Sequence, residues 1–246
     1  MKTFFPVLLC IALFAMQSGN PAHASVVING TRVIYPAVER EVSIRLTNNG
    51  TFPSLVQSWV DSGDSRQVPQ DSDAPFLLMP PVTRIDPGKG QTLRLMAERV
   101  AQGREAESVF WLNVLEIPPA PSGEQAQQNT LQMAFRTRIK IFYRPAGLSQ
   151  AGATQAPEQL QWRAVRDADG WALACSNPTR YHVSFNSVAL VDTPYSNRQA
   201  GMVAPGATLL FPMQGLLREP AAGAGVKFES LNDYGSIVTH QAALQR

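Results

Sequence analysis

The sequence predicts an all-β chain built as two β-sandwiches joined by a short, stiff elbow. Three observations carry this. Short segments alternate apolar and polar residues at strand period, with Gly, Pro, Asn and Asp turn signals between them. No stretch of ten or more residues carries a helical stripe. The 246 residues are long for one domain and comfortable for two of about 110. Hydrophobic residues make up 44% and charged ones 16%, a globular balance. A net charge of +2 gives no global excess that would point to nucleic acid or an anionic membrane.

The first residues are an address. Lys2 supplies a positive start, Phe4 to Met16 form a mostly apolar run of 13 residues, and a polar stretch ends in the small-x-small triplet Ala22-His23-Ala24. This is a secretory signal peptide over residues 1–24, with cleavage expected after Ala24. The run is too short to span a bilayer. Leu9 before Cys10 is not small and the apolar run continues past the cysteine, which argues against a lipoprotein. Removing the leader takes away Lys2, Cys10 and His23 and leaves Cys175 as the single cysteine. Trp171, Leu173 and Cys175 share one strand face, so a buried, inert thiol is favoured over a reactive one.

In chain order, Val42, Ile44 and Leu46 alternate with Ser43, Arg45 and Thr47 before the turn Asn48-Asn49-Gly50. Leu55 to Val60 is a strand, and Asp86-Pro87-Gly88 turns the chain into Thr92 to Met96. The apolar run Val109 to Ile117 suits a central strand. Leu131 to Tyr143, thirteen residues without Pro or Gly, is the longest strand candidate. Arg144-Pro145-Ala146-Gly147 and the Ala/Gly/Gln-rich stretch Ser149 to Pro157 form the join, with Pro145 stiffening it. The domains are therefore drawn at 25–145 and 146–246. In the second, Leu160, Trp162 and Ala164 lead through Asp167 to Gly170 into Trp171 to Cys175, a hairpin. Further strands fall at Tyr181 to Phe185, Met202 to Ala204, Leu209 to Phe211 and Ile237 to Thr239, and Gly223 to Gly225 reads as a loop.

Catalytic chemistry finds no foothold. His182 and His240 have no metal-binding spacing, and there is no nucleophile elbow or phosphate loop. The chain is expected to be no enzyme and to need no metal or cofactor. Asn29-Gly30-Thr31 and Asn49-Gly50-Thr51 fit the glycosylation sequon but are better read as turn chemistry.

Two segments stand out. Leu131, Met133 and Phe135 lie on one face of a strand whose other face carries Arg136, Arg138 and Lys140. By periodicity alone, apolar residues toward a core and charges toward water explain this pattern. Arg32 likewise sits inside the apolar strand Val33-Ile34-Tyr35, where a solvent-facing arginine is the ordinary explanation.

Taken together, Gly30 to Pro36, Pro80 to Gly88, Phe110 to Pro119, Arg138 to Pro145 and Asn232 to Gly235 occur in the order found in one family. The chain resembles the periplasmic chaperones of the chaperone–usher pilus pathway over essentially residues 25–246. The resemblance implies two immunoglobulin-like domains joined at an angle, with a cleft between them. It implies that Arg32 and Lys140 hold the C-terminal carboxylate of a pilus subunit, a task suited to a planar donor fork beside a point charge. Leu131, Met133 and Phe135 would enter the groove of a subunit lacking its last strand, as in the donor-strand complexes known as β-strand addition.

Glu107, Arg144 and Asp233 match an interdomain ionic network, and the ten-residue segment Ala120 to Asn129 matches the family's short-loop branch. The implied partners are fimbrial subunits and an outer-membrane usher, in the periplasm. Self-association through the same apolar edge is a further expectation for the chaperone free of subunit. A pilus subunit or an immunoglobulin-like binding module would share the sandwiches. Neither explains two β-blocks of equal size together with Arg32, Lys140 and the apolar 131–135 segment.

Overall fold

The computed structural model describes residues 25–98, 105–120, 131–199 and 201–245. The leader 1–24 and residues 121–129 of the short segment lie outside the described residues. The chain forms two immunoglobulin-like β-sandwiches in sequence.

The first packs two sheets. One runs β1 (Val26–Ile28), β3 (Val42–Asn48), β7 (Gly90–Ala97) and β5 (Phe76–Met79). The other runs β2 (Arg32–Pro36), β9 (Phe135–Arg144), β8 (Ser108–Ile117), β4 (Ser54–Asp61) and β6 (Val82–Ile85). The chain switches sheets between β1 and β2 at Gly30, whose φ of 124° only glycine adopts without strain. Inward residues interleave between the layers, among them Leu46, Leu93, Leu95, Leu112 and Ile141. Tyr35, Phe76, Phe110 and Tyr143 stack and cross edge-to-face at one end of this core, with ring centroids 5.0–6.3 Å apart.

The second sandwich contains β10 (Gln161–Asp167), β11 (Gly170–Ser176) and β15 (Thr208–Pro212) on one side. The other side has β13 (Ser196–Asn197), β12 (Val183–Leu190), β16 (Gly225–Leu231) and β17 (Ile237–Gln245), with β14 (Gly201–Val203) also on β12. A short parallel contact of β17 with β10 joins the two at Trp162 and Leu244. Fully buried Trp162 is ringed by Phe185, Phe211 and Phe228.

Three expectations change. The long strand begins at Phe135 rather than Leu131. Its partner β8 ends at Ile117, and Pro118 and Pro119 have no N–H with which to extend the ladder. The stretch Ser149 to Pro157 is more than a linker, because Gln150–Gln155 form a helix, α1, followed by a 3-10 turn over Ala156–Gln159. Ser149 caps it by accepting a hydrogen bond from the Gly152 amide, a capping residue ahead of Ala151 and Ala153. Gly225 opens β16, whose Val226, Phe228 and Ser230 are buried, while Gly223 and Ala224 lie outside the strand as the loop reading has them.

Cys175 lies fully buried in the second core, and burial pushes its thiol up to about 12. Folded protein is therefore expected to resist a thiol-reactive chromogenic disulfide at neutral pH and to react with one equivalent in denaturant. Fast labelling of the native protein would contradict this burial.

Candidate binding cleft at the elbow

Arg32 and Lys140 come together because β2 and β9 run parallel in a register that pairs their Cα atoms. The alternating residues Val33, Tyr35, Ile141 and Tyr143 are buried in the first core, so Arg32 and Lys140 point out of the opposite face. That face looks onto a cleft whose other wall is the second domain, including His182, Leu231, Asp233 and Tyr234.

Arg32 donates from Nη1 to the Leu231 carbonyl at 3.1 Å, lies over the Phe142 ring at 5.4 Å, and buries its Nε without a partner. Burial pulls its pKa down, while Asp233 and Glu107 at longer range pull it back. Lys140 is lowered by burial first and then by the charge of Arg32. No ion pair within 4.0 Å joins either cation to a carboxylate among the described residues. Arg32 lines the cleft and Lys140 is its register partner on β9. The two partly buried cations repel one another, and an anion bound between them relieves both costs.

Arg144, at the end of β9, is differently placed. Its Nε and Nη2 donate to Glu107 Oε1 at 3.1 and 2.9 Å, and its Nη1 and Nη2 donate to Asp233 at 2.8 and 3.0 Å. Glu107 stands just before β8, and Asp233 lies in the turn between β16 and β17, so one guanidinium spans both domains. The other oxygen of Glu107 accepts from the His182 amide at 2.9 Å. Burial opposes the charge on Arg144, but Asp233 and Glu107 outweigh it and raise its pKa. In the turn, the Tyr234 and Ser236 amides donate to Asn232 Oδ1. Gly235, at φ 81°, lies so close to Thr31 of the first domain that a β-carbon there would collide with its hydroxyl.

The apolar residues ahead of β9 project outward: Leu131 is 87% and Met133 49% exposed, and Phe135 is half-buried. The basic face is less solvated than strand alternation suggests. Arg138 grips Asp61 with Nε at 3.0 Å and Nη2 at 2.5 Å, and lies over Trp111 at 4.6 Å. Arg136 lies over Trp59 at 4.7 Å and donates to Asn113, which in turn donates to Asp61 at 2.7 Å. Asp61 is fully buried; burial opposes its charge, but bonds from Arg138, Asn113 and the Gly63 amide prevail and lower its pKa. Asp61 and Asn113 escape a sequence reading because each belongs to an outward-facing strand position, and only the arginine–tryptophan cover buries them.

Residues 25–149 match the family described as "Pili and flagellar-assembly chaperone, PapD N-terminal domain", and 155–242 match "Pili assembly chaperone PapD, C-terminal domain". The "Probable fimbrial chaperone YadV" of Escherichia coli K12 is 42% identical over 235 residues, covering 93% of this chain and 94% of that protein. The "Chaperone protein FimB/FhaD" of Bordetella pertussis is 37% identical over 228 residues, covering 91% and 89%. The crystal structure of the YadV chaperone superposes with a TM-score of 0.74 at 40% identity, covering 90% of this chain and all of that one.

Replacing Arg144 by Ala leaves Glu107 buried without its cation, and is expected to cost about 3–5 kcal/mol in urea unfolding. Removing Arg66, whose pair with Asp64 is exposed, should change stability by less than about 0.5 kcal/mol. Equal small losses for both would show that the elbow cluster contributes no more than a surface pair.

Proposed function

The chain belongs to the pili-assembly chaperone family, and we propose that it captures fimbrial subunits in the elbow cleft and caps them through the free edge of β9. The observation that carries this reading is the end of the β2–β9 pairing. Strand β2 covers β9 only from Lys140 to Arg144, so Phe135 to Ile139 have no partner on that side among the described residues. The last covered rung is the Arg32–Lys140 pair itself. A subunit whose C-terminal carboxylate enters between the two cations has its last strand aligned to continue along the uncovered edge.

Backbone bonds along that edge supply affinity, while Leu131, Met133 and Phe135 enter the subunit's groove and supply register. Pairing also occupies a subunit edge that would otherwise aggregate. The Glu107–Arg144–Asp233 cluster, with Gly235 closed against Thr31, holds the elbow so that both cleft walls keep their spacing. Binding of this kind uses neither nucleotide nor metal and involves no catalytic step. The working compartment is the periplasm, reached through a leader cleaved after Ala24, and the loaded chaperone is passed to an outer-membrane usher. Without a subunit, the same edge is open to a second copy of the chain.

Arg32→Ala and Lys140→Ala should each weaken subunit binding by about 2–5 kcal/mol while leaving the melting temperature unchanged or raised, because each relieves a like-charge pair. Calorimetry with a purified subunit and parallel melting curves give both quantities. Loss of stability in step with binding would make the pair structural and sink the anchor. Because bound carboxylate must hold Lys140 protonated against burial and Arg32, affinity should start to fall at a lower alkaline pH than for a free lysine. Met133→Glu and Phe135→Glu should abolish periplasmic co-purification of the subunit while the chaperone stays soluble. Retained capture would show that the subunit docks elsewhere.

A further inference from the structure

At the far end of the first sandwich from the elbow, a carboxylate is buried without a cation. Glu116 on β8 is 6% exposed and points into the gap between the two sheets. Its oxygens accept from the amides of Ser25 at 2.9 Å and Val26 at 3.0 Å, from the Ser54 hydroxyl at 3.0 Å, and from the Ser25 hydroxyl. No lysine, arginine or histidine pairs with it among the described residues. Four neutral donors on a buried anion leave its charge uncompensated, an expensive arrangement when nothing cationic is at hand.

Ser25 is held there on other sides as well. Its carbonyl accepts from the Asn49 amide at 2.8 Å, and Gly50 leaves room for it, since a β-carbon at 50 would stand 2.5 Å from that of Ser25. The nitrogen 2.9 Å from Glu116 therefore belongs to the residue that follows the expected cleavage point.

We propose that Glu116 is a receptor for the new N-terminus, so that removal of the leader completes the first domain. Hydrolysis of the Ala24–Ser25 bond by a leader-cleaving protease breaks the C–N bond. Water gives its hydroxyl to Ala24 and a hydrogen to Ser25, and the freed amine takes a proton from solvent. The neutral amide donor facing Glu116 thereby becomes an ammonium, and a hydrogen bond becomes a buried, charge-assisted ion pair. The pair ties β1 in one sheet to β8 in the other, on the rung where Glu116 faces Phe135. Before cleavage the same contact is only a neutral donor on an unpaired anion, so the precursor's first domain is held less firmly than the processed one.

The test compares melting of the full mature chain beginning at Ser25 with the same chain acetylated on Ser25, which restores a neutral amide, and with a chain retaining Ala24. Each is made with Glu116 and with Glu116→Gln. With Glu116, both blocked forms should melt lower by about 3–6 °C. With Glu116→Gln, blocking should change the melting temperature by less than about 1 °C, since the charge it answers is gone. No fall on blocking, or equal falls in both backgrounds, overturns the proposal. So does a mass spectrum of the exported protein showing a first residue other than Ser25. Should Glu116→Gln fail to fold, acetylation of the Glu116 protein decides alone: unchanged melting refutes the receptor.

Discussion

Among the described residues, strand β9 has neighbours on both sides for only about half its length. From Lys140 to Tyr143 it is paired with both β2 and β8; from Phe135 to Ile139 it is paired with β8 alone. An unsatisfied row of N–H and C=O groups at the edge of a sandwich is a liability in most proteins, blunted by charge, proline or a covering loop. Here the row is left bare, is preceded by exposed Leu131 and Met133, and ends at two cations that form no ion pair among the described residues.

The arginines of this face divide by their counter-charges. Arg144 and Arg138 each find a buried carboxylate with bidentate or forked geometry, and both are fixtures. Arg32 has a backbone carbonyl and an aromatic ring but no carboxylate within reach among the described residues, and its neighbour in register is another cation. Neighbouring residues of one strand pair thus differ in role by whether the fold supplies an anion. Where the fold withholds one, the vacancy is the proposed binding determinant.

Much of this was legible in the chain. Strand alternation separated Leu131, Met133 and Phe135 from Arg136, Arg138 and Lys140, and the motifs around Arg32, Arg144 and Asp233 pointed to the elbow. What escaped reading depended on long-range pairing. Leu131 to Ala134 alternate like a strand yet have no ladder, because the prolines that stop it lie on the partner segment. Helix α1 is too short to show a stripe, and β16 hides behind two glycines. Glu116, set in an apolar run, had no visible partner because Ser25 is 91 residues away in sequence.

The half-covered strand also acts as a length gauge. Phe135 to Ile139 is five residues, roughly 17 Å of edge at the rise of a strand. An incoming strand anchored at its terminus and no longer than this finds a template already formed. A longer one must bring Leu131 to Ala134, which have no ladder on β8, into extended pairing. The chaperone would therefore grip in two stages, first on a segment already in a ladder and then on one that joins a ladder only with the partner. Release could begin from the second stage without disturbing the first.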